Sequence, residues 1–218
     1  MKKSTFLLLA LIISFVGFGQ NPAFWNEVQE FKKQDSLQKP PTRPILFIGS
    51  SSFTLWKDVN NNFPGYTILN RAFGGSSITD LIRYKQEIIT KYKPKQIVMY
   101  CGENDFAASD TVTVPTVMAR FKTLFNYIQS NFKGIPFVYV SMKPSPSRFK
   151  LLPKYEEANR LIQAYLKKYK NTVFVDVYHA MLMEDGSPRL DIFLEDNLHM
   201  NKAGYDIWQK LLAPHLKK

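Results

Sequence analysis

Five apolar runs of strand length, at residues 45–48, 66–70, 96–100, 136–140 and 172–177, are separated by amphipathic stretches long enough to cross back over a sheet. The runs are continuous in β-branched and aromatic residues instead of alternating with polar ones. Such strands are buried on both faces, which is the situation in a parallel sheet covered by helices on either side. The pattern predicts five βα units in a three-layer αβα sandwich. In open sheets of this kind, function gathers at the carboxyl ends of the strands, so the residues directly after each run carry the most information.

Ahead of the first run lie a polar, helix-compatible stretch at 24–37 and the segment Pro40-Pro41-Thr42-Arg43-Pro44, where three prolines exclude regular structure. Residues 20–44 therefore read as an N-terminal helix and linker, and 45–218 as a single domain. The chain opens Met1-Lys2-Lys3 and continues with an apolar run at 6–18, the charged and apolar regions of an export signal covering residues 1–19. Gly17 and Gly19 supply small residues for a cut before Gln20. A bilayer crossing needs about 20 apolar residues, and Asn21, Asn26 and Glu27 arrive too soon. No cysteine follows the cut to take a lipid. The expectation is a secreted or periplasmic protein with no stable membrane anchor once the signal is removed.

The one cysteine, Cys101, closes an apolar run, so the chain forms no internal disulfide and depends on its core. The formal net charge of +11 raises the question of nucleic acid. Its lysines, however, are dispersed over segments such as Lys91-Tyr92-Lys93-Pro94-Lys95 and Lys167-Lys168-Tyr169-Lys170, which read as solvated helix faces or ends. No nucleic-acid partner is expected.

After the first run comes Gly49-Ser50-Ser51-Ser52, after the second Asn70-Arg71-Ala72-Phe73-Gly74-Gly75, and after the third Gly102-Glu103-Asn104-Asp105. Each taken alone fits a turn or a helix cap. Near the C-terminus, Asp196-Asn197-Leu198-His199 places a carboxylate and an imidazole three apart at the entry to the last amphipathic stretch. In a helical turn that spacing puts both on one side, where the carboxylate can fix the imidazole tautomer while the other ring nitrogen faces a serine. Asp176-Val177-Tyr178-His179 repeats the spacing. Asp176 there falls inside the fifth run, and a period of two sends positions three apart to opposite faces, so His179 is read as a decoy. Lys143 and Arg148, in the polar loop after the fourth run, are candidates to line a substrate pocket. Ser145 and Ser147 lack a strand–turn–helix setting and are not read as nucleophiles.

Taken in order, Gly49-x-Ser51, Asn70 to Gly75, Gly102-x-Asn104 and Asp196-x-x-His199 resemble the four sequence blocks of the SGNH/GDSL hydrolases, over nearly all of the chain from Ile45 onward. The resemblance implies a flavodoxin-like sheet order. It implies Ser51 as nucleophile, His199 as proton carrier, Asp196 as its orienting carboxylate, and an oxyanion hole from the N–H groups of Ser51 and Gly75 with the Asn104 amide. It implies no cofactor and no metal. The expected substrate is a small-molecule or polymer-borne ester, an acylated lipid or an acetylated carbohydrate. Two positions depart from the family pattern: Ser50 stands where an aspartate is usual, and Ala72 where a glycine is frequent.

Two other functions fit parts of the sequence. The loop after the first run could hold a flavin phosphate, as flavodoxin-like folds do, but that leaves Asn104, Asp196 and His199 without a task. A non-catalytic carbohydrate- or lipid-binding protein on the same fold is the other. Cys101, inside an apolar run, reads as a small buried hydrophobe, and no His-rich metal motif is present.

Overall fold

The computed structural model describes residues 21–218; the export-signal reading of residues 1–19 lies outside them. Five strands, β1 (Ile45–Gly49), β2 (Ile68–Asn70), β3 (Gln96–Tyr100), β4 (Phe137–Val140) and β5 (Thr172–Val175), form one parallel sheet in the order β2-β1-β3-β4-β5. Register is continuous across the centre, with Phe47 opposite Val98 and Val98 opposite Val138. The expected αβα sandwich with flavodoxin-like order is what the chain adopts. β2 begins and β5 ends two residues inside the runs that predicted them.

Successive strand residues feed two cores. Leu46, Ile48, Ile97, Met99, Phe137 and Tyr139 face a layer made by α1 (Trp25–Leu37), α4 (Ile78–Arg83), α6 (Val114–Asn131) and α7 (Leu152–Leu166). Ile45, Phe47, Val98, Tyr100, Val138 and Val140 face the other layer, which holds the aromatic group Phe53, Trp56, Phe63 and Trp208. That layer is built from the short α2 (Ser51–Thr54) and α3 (Val59–Asn62) and from α8 (Lys202–Leu212). Because both faces are covered, the strands can be apolar throughout, which accounts for the sequence pattern.

The N-terminal helix departs from expectation. It is not set apart from the domain by the proline segment: Val28 is fully buried in the first core. Asp35 makes ion pairs with Arg71 and Lys91 and accepts a hydrogen bond from the Tyr92 hydroxyl at 2.7 Å. Phe24, just before α1, packs against Phe73 with the rings tilted and their centroids 5.3 Å apart. Prolines 40, 41 and 44 interrupt the chain without releasing the helix, because a buried guanidinium requires the carboxylate that α1 carries.

In the order β2-β1-β3 the connections leave β1 and β3 toward opposite sides, and the crevice between their carboxyl ends is where such folds bind ligands. The Gly49–Ser51 and Gly102–Asn104 turns meet there.

Candidate active site

β1 ends in a turn only glycine fits. Gly49 has φ +145°, and a Cβ there would lie 1.9 Å from the Tyr100 carbonyl oxygen on the neighbouring strand. The tight approach lets Ser50 N–H donate to that same oxygen at 3.1 Å. The chain then turns directly into α2, with Ser51 as its first residue.

The loop after β2 is fastened to this turn. The Asn70 side chain donates to Phe53 O at 2.7 Å and accepts from Ala72 N–H at 3.0 Å. Phe73 N–H and the Ser76 hydroxyl both donate to Gly49 O, at 3.0 and 3.1 Å. These contacts bring Gly74 beside the serine, so that a Cβ on it would sit 4.0 Å from Ser51 Cβ. Among the described residues, the backbone N–H groups of Ser51 and Gly75 donate to no protein acceptor. Ala72 is buried and does not disturb this arrangement.

Asp196 and His199 come together differently from the sequence expectation. The segment is not the first turn of a helix; it is a loop closed by the Phe193–Met200 bridge, with Asn197 at φ +53°. One Asp196 oxygen accepts from the N–H groups of Leu198 and His199, both at 2.9 Å, and the other lies 2.6 Å from His199 Nδ1. Since a carboxylate only accepts, the proton is on Nδ1 and Nε2 is free as a base. His199 Nε2 is 3.1 Å from Ser51 Oγ. Partial burial raises the Asp196 pKa, but the two backbone donors and the imidazole outweigh it and hold the carboxyl at about 2.

Asn104, in α5 (Glu103–Ala107), uses its amide nitrogen on Ser50 Oγ at 2.7 Å and on Ser76 O at 3.0 Å. Its Oδ1 accepts from Arg148 Nη2 at 2.8 Å. Ser50, at the position where the family has an aspartate, is thus a partner of the Asn104 amide. A cavity of about 360 Å³ opens over these groups, lined by Ser51, Gly74, Gly75, Asn104, Arg148 and His199 together with Thr54, Leu55 and Leu198.

Of the two basic residues expected in a substrate pocket, only Arg148 lines the cavity. Lys143 is 1% exposed and points inward to Glu103, with Nζ 3.1 Å from Oε2. The reason is a buried carboxylate that no sequence pattern marks: Glu103 also takes hydrogen bonds from the Tyr100 hydroxyl and from Lys143 N–H. Burial pulls the Lys143 pKa down, with Glu103 opposing it. Ser145 is fully buried.

The second Asp–His pair also corrects an expectation. β5 stops at Val175 because the Ser141 hydroxyl accepts from the N–H groups of Val177 and Tyr178, turning the chain. Asp176 therefore lies outside the strand, and its Oδ2 is 2.7 Å from His179 Nδ1. The pair forms after all, but among the described residues no serine hydroxyl meets the other ring nitrogen. It borders a separate hollow with Glu156, Asn159 and Tyr178.

The sequence model of the GDSL-like lipase/acylhydrolase family matches residues 49–207, from the glycine before the serine turn to well inside α8. The chain belongs to the GDSL-like lipase/acylhydrolase family. It is accordingly a carboxylic ester hydrolase, and its sheet is that of the SGNH hydrolases. Comparison with curated proteins finds no match. Among solved structures, a protein from Streptococcus pneumonia described as a platelet activating factor is 20% identical, with a TM-score of 0.76 over 88% of this chain and 92% of its own. A GDSL-like lipase from Bacteroides thetaiotaomicron is 19% identical, with a TM-score of 0.74 over 86% of this chain and 95% of its own. A variant of an acetyl-xylooligosaccharide esterase from Geobacillus stearothermophilus is 15% identical, with a TM-score of 0.63 over 82% and 96%. At these identities the likeness is one of fold.

Proposed function

We propose that this family member cleaves carboxylic esters through an acyl-enzyme on Ser51, with His199 and Asp196 completing a triad. The observation that carries the reading is the unbroken line from Asp196 Oδ2 through the imidazole to Ser51 Oγ, at 2.6 and 3.1 Å, beneath an open cavity. Ser51 Oγ attacks the ester carbonyl as His199 Nε2 takes its proton. Collapse of the tetrahedral intermediate expels the alkoxide, which receives that proton and leaves as the alcohol. Water then repeats the sequence on the acyl-enzyme, releasing the carboxylic acid and restoring the serine. Asp196 stays ionised throughout and stabilises the imidazolium.

The free N–H groups of Ser51 and Gly75 and the Asn104 amide are assigned to the oxyanion. The substrate is an acylated lipid or an acetylated carbohydrate; the likeness to the acetyl-xylooligosaccharide esterase supports the second choice by fold analogy only. Cleavage of residues 1–19 would release the enzyme outside the cytoplasm.

The test is hydrolysis of p-nitrophenyl acetate, butyrate and octanoate, and of acetylated xylooligosaccharides. Ser51→Ala and His199→Ala are expected to lower turnover by at least about 1,000-fold, while His179→Ala keeps the wild-type rate. Equal turnover by wild type and Ser51→Ala would remove the triad reading, and loss on His179→Ala would transfer the base to the second pair.

A further inference from the structure

An asparagine amide offers a donor at one end and an acceptor at the other, in nearly the same shape. If Asn104 serves the oxyanion, as in the reading above on which this inference rests, a half-turn about its last side-chain bond would replace the donor by a lone pair facing negative charge. Something must therefore hold the amide one way round. Ser50 Oγ cannot, because a hydroxyl donates or accepts equally well. Two other contacts can. The Ser76 carbonyl, 3.0 Å from Nδ2, only accepts. The Arg148 guanidinium, 2.8 Å from Oδ1, only donates.

Arg148 is itself held. Its side chain is 18% exposed, its N–H donates to Ser145 O at 3.0 Å, and Ser147 N–H donates to Asn197 O at 3.0 Å, tying this loop to the one that carries Asp196 and His199. Nη1 lies 3.8 Å from Glu103 Oε2. Glu103 is fixed in turn by Tyr100, by Lys143 N–H at 2.9 Å and by Lys143 Nζ at 3.1 Å. Glu103 and Asn104 are neighbours at the start of α5, so one buried ionic cluster sets both the helix start and the guanidinium against it. With one carboxylate against two cationic side chains, the cluster is not left anionic behind the site.

We propose that Arg148 is a positioning residue of the oxyanion hole: it pins the Asn104 amide with its N–H groups toward Ser50 Oγ and the Ser76 carbonyl and polarises them, rather than binding an anionic part of the substrate. A charge-assisted bond at Oδ1 withdraws density from the amide and makes Nδ2–H the stronger donor. When the tetrahedral oxyanion forms, the proton now given to Ser50 Oγ is the one turned to it, while the other stays on the Ser76 carbonyl.

The test is a double-mutant cycle on a neutral ester, p-nitrophenyl butyrate, with wild type, Arg148→Met, Asn104→Ala and the double variant, plus Arg148→Lys. Removing one oxyanion donor costs on the order of 100- to 1,000-fold in kcat, and Asn104→Ala is expected in that range. Arg148→Met is expected to lower kcat by about tenfold with KM within about twofold, yet to change kcat by less than about twofold when Asn104 is already alanine. Arg148→Lys, which keeps a donor-only cation, is expected to recover part of the loss. A structural role would instead give the same loss on both backgrounds, and a substrate-binding role would appear in KM; either outcome overturns the proposal. Should Arg148→Met not fold, Arg148→Gln replaces it: a glutamine amide can donate to Oδ1 or accept from a reversed Asn104 and so fixes neither orientation, and wild-type kcat in that variant would overturn the proposal as well. If Asn104→Ala keeps full turnover, it is the oxyanion role of Asn104 that falls, a failure distinct from an Arg148→Met enzyme with unchanged kcat beside an impaired Asn104→Ala.

Discussion

A methyl group at position 49 would have to share space with the Tyr100 carbonyl, 1.9 Å away, on a backbone at φ +145°. Neither strand can yield, since both are central in the sheet. Gly49→Ala is expected to lower unfolding free energy by on the order of 3 kcal/mol and to displace Ser51 from His199. Urea denaturation monitored by tryptophan fluorescence measures the first effect and ester turnover the second. At this scale the sequence was informative about place: Ser51, Gly75 and Asn104, each following a strand, meet Asp196 and His199, which precede the last helix, in one crevice. It was uninformative where the task depends on a partner distant in sequence. Lys143 reads as a loop residue of the substrate pocket, but Glu103, 40 positions away, draws it inward. The Asp176–His179 contact is not legible in the sequence because the end of β5 is decided by the Ser141 hydroxyl, just past the end of β4.

Among the elements, α1 shows most plainly how a polar stretch can belong to a core. Its one fully buried apolar residue, Val28, gives a weak periodic signal, so sequence patterning placed the start of the domain at Ile45. What binds the helix is ionic: side chains of Asp35 and Arg71 are 4% and 8% exposed. Removing one partner of such a pair leaves the other charge buried and costs about 3–5 kcal/mol. Asp35→Ala should therefore lower the urea midpoint strongly, whereas the paired change Asp35→Leu with Arg71→Met should recover much of it. An Asp35→Ala midpoint equal to wild type would mean that α1 is only resting on the domain. The helix also bears on the site, because the Phe24 ring lies 3.8 Å from where a Gly75 Cβ would be.

For the molecule as a whole, acid is the condition that acts on several of these devices together. Burial raises the Asp35 pKa, but hydrogen bonds from Lys91, Tyr92 and Arg71 more than offset it and leave it lowered; Asp196 is lowered to about 2. Folded-state values below the unfolded ones mean stability that is present above about pH 4 and lost as the pH falls toward 2. Asp105 works in the opposite sense: burial raises its pKa despite bonds from Ile78 N–H and Arg120, so its protonation favours the fold. The expected net result is a melting temperature that declines below about pH 4, with a smaller decline in Asp35→Asn, measured by calorimetry across pH 2–7. An acid profile unchanged by that substitution would assign the loss to other carboxylates.

The hydrogen bond from Ser51 to His199 joins positions 148 residues apart. During synthesis the nucleophile's turn emerges first, and the imidazole belongs to a loop that follows 148 residues later. A chain stalled or clipped before that loop would hold a serine with no base beside it. On the triad reading, hydrolysis waits until synthesis has reached that loop, and a product that stops short of it is chemically silent toward esters.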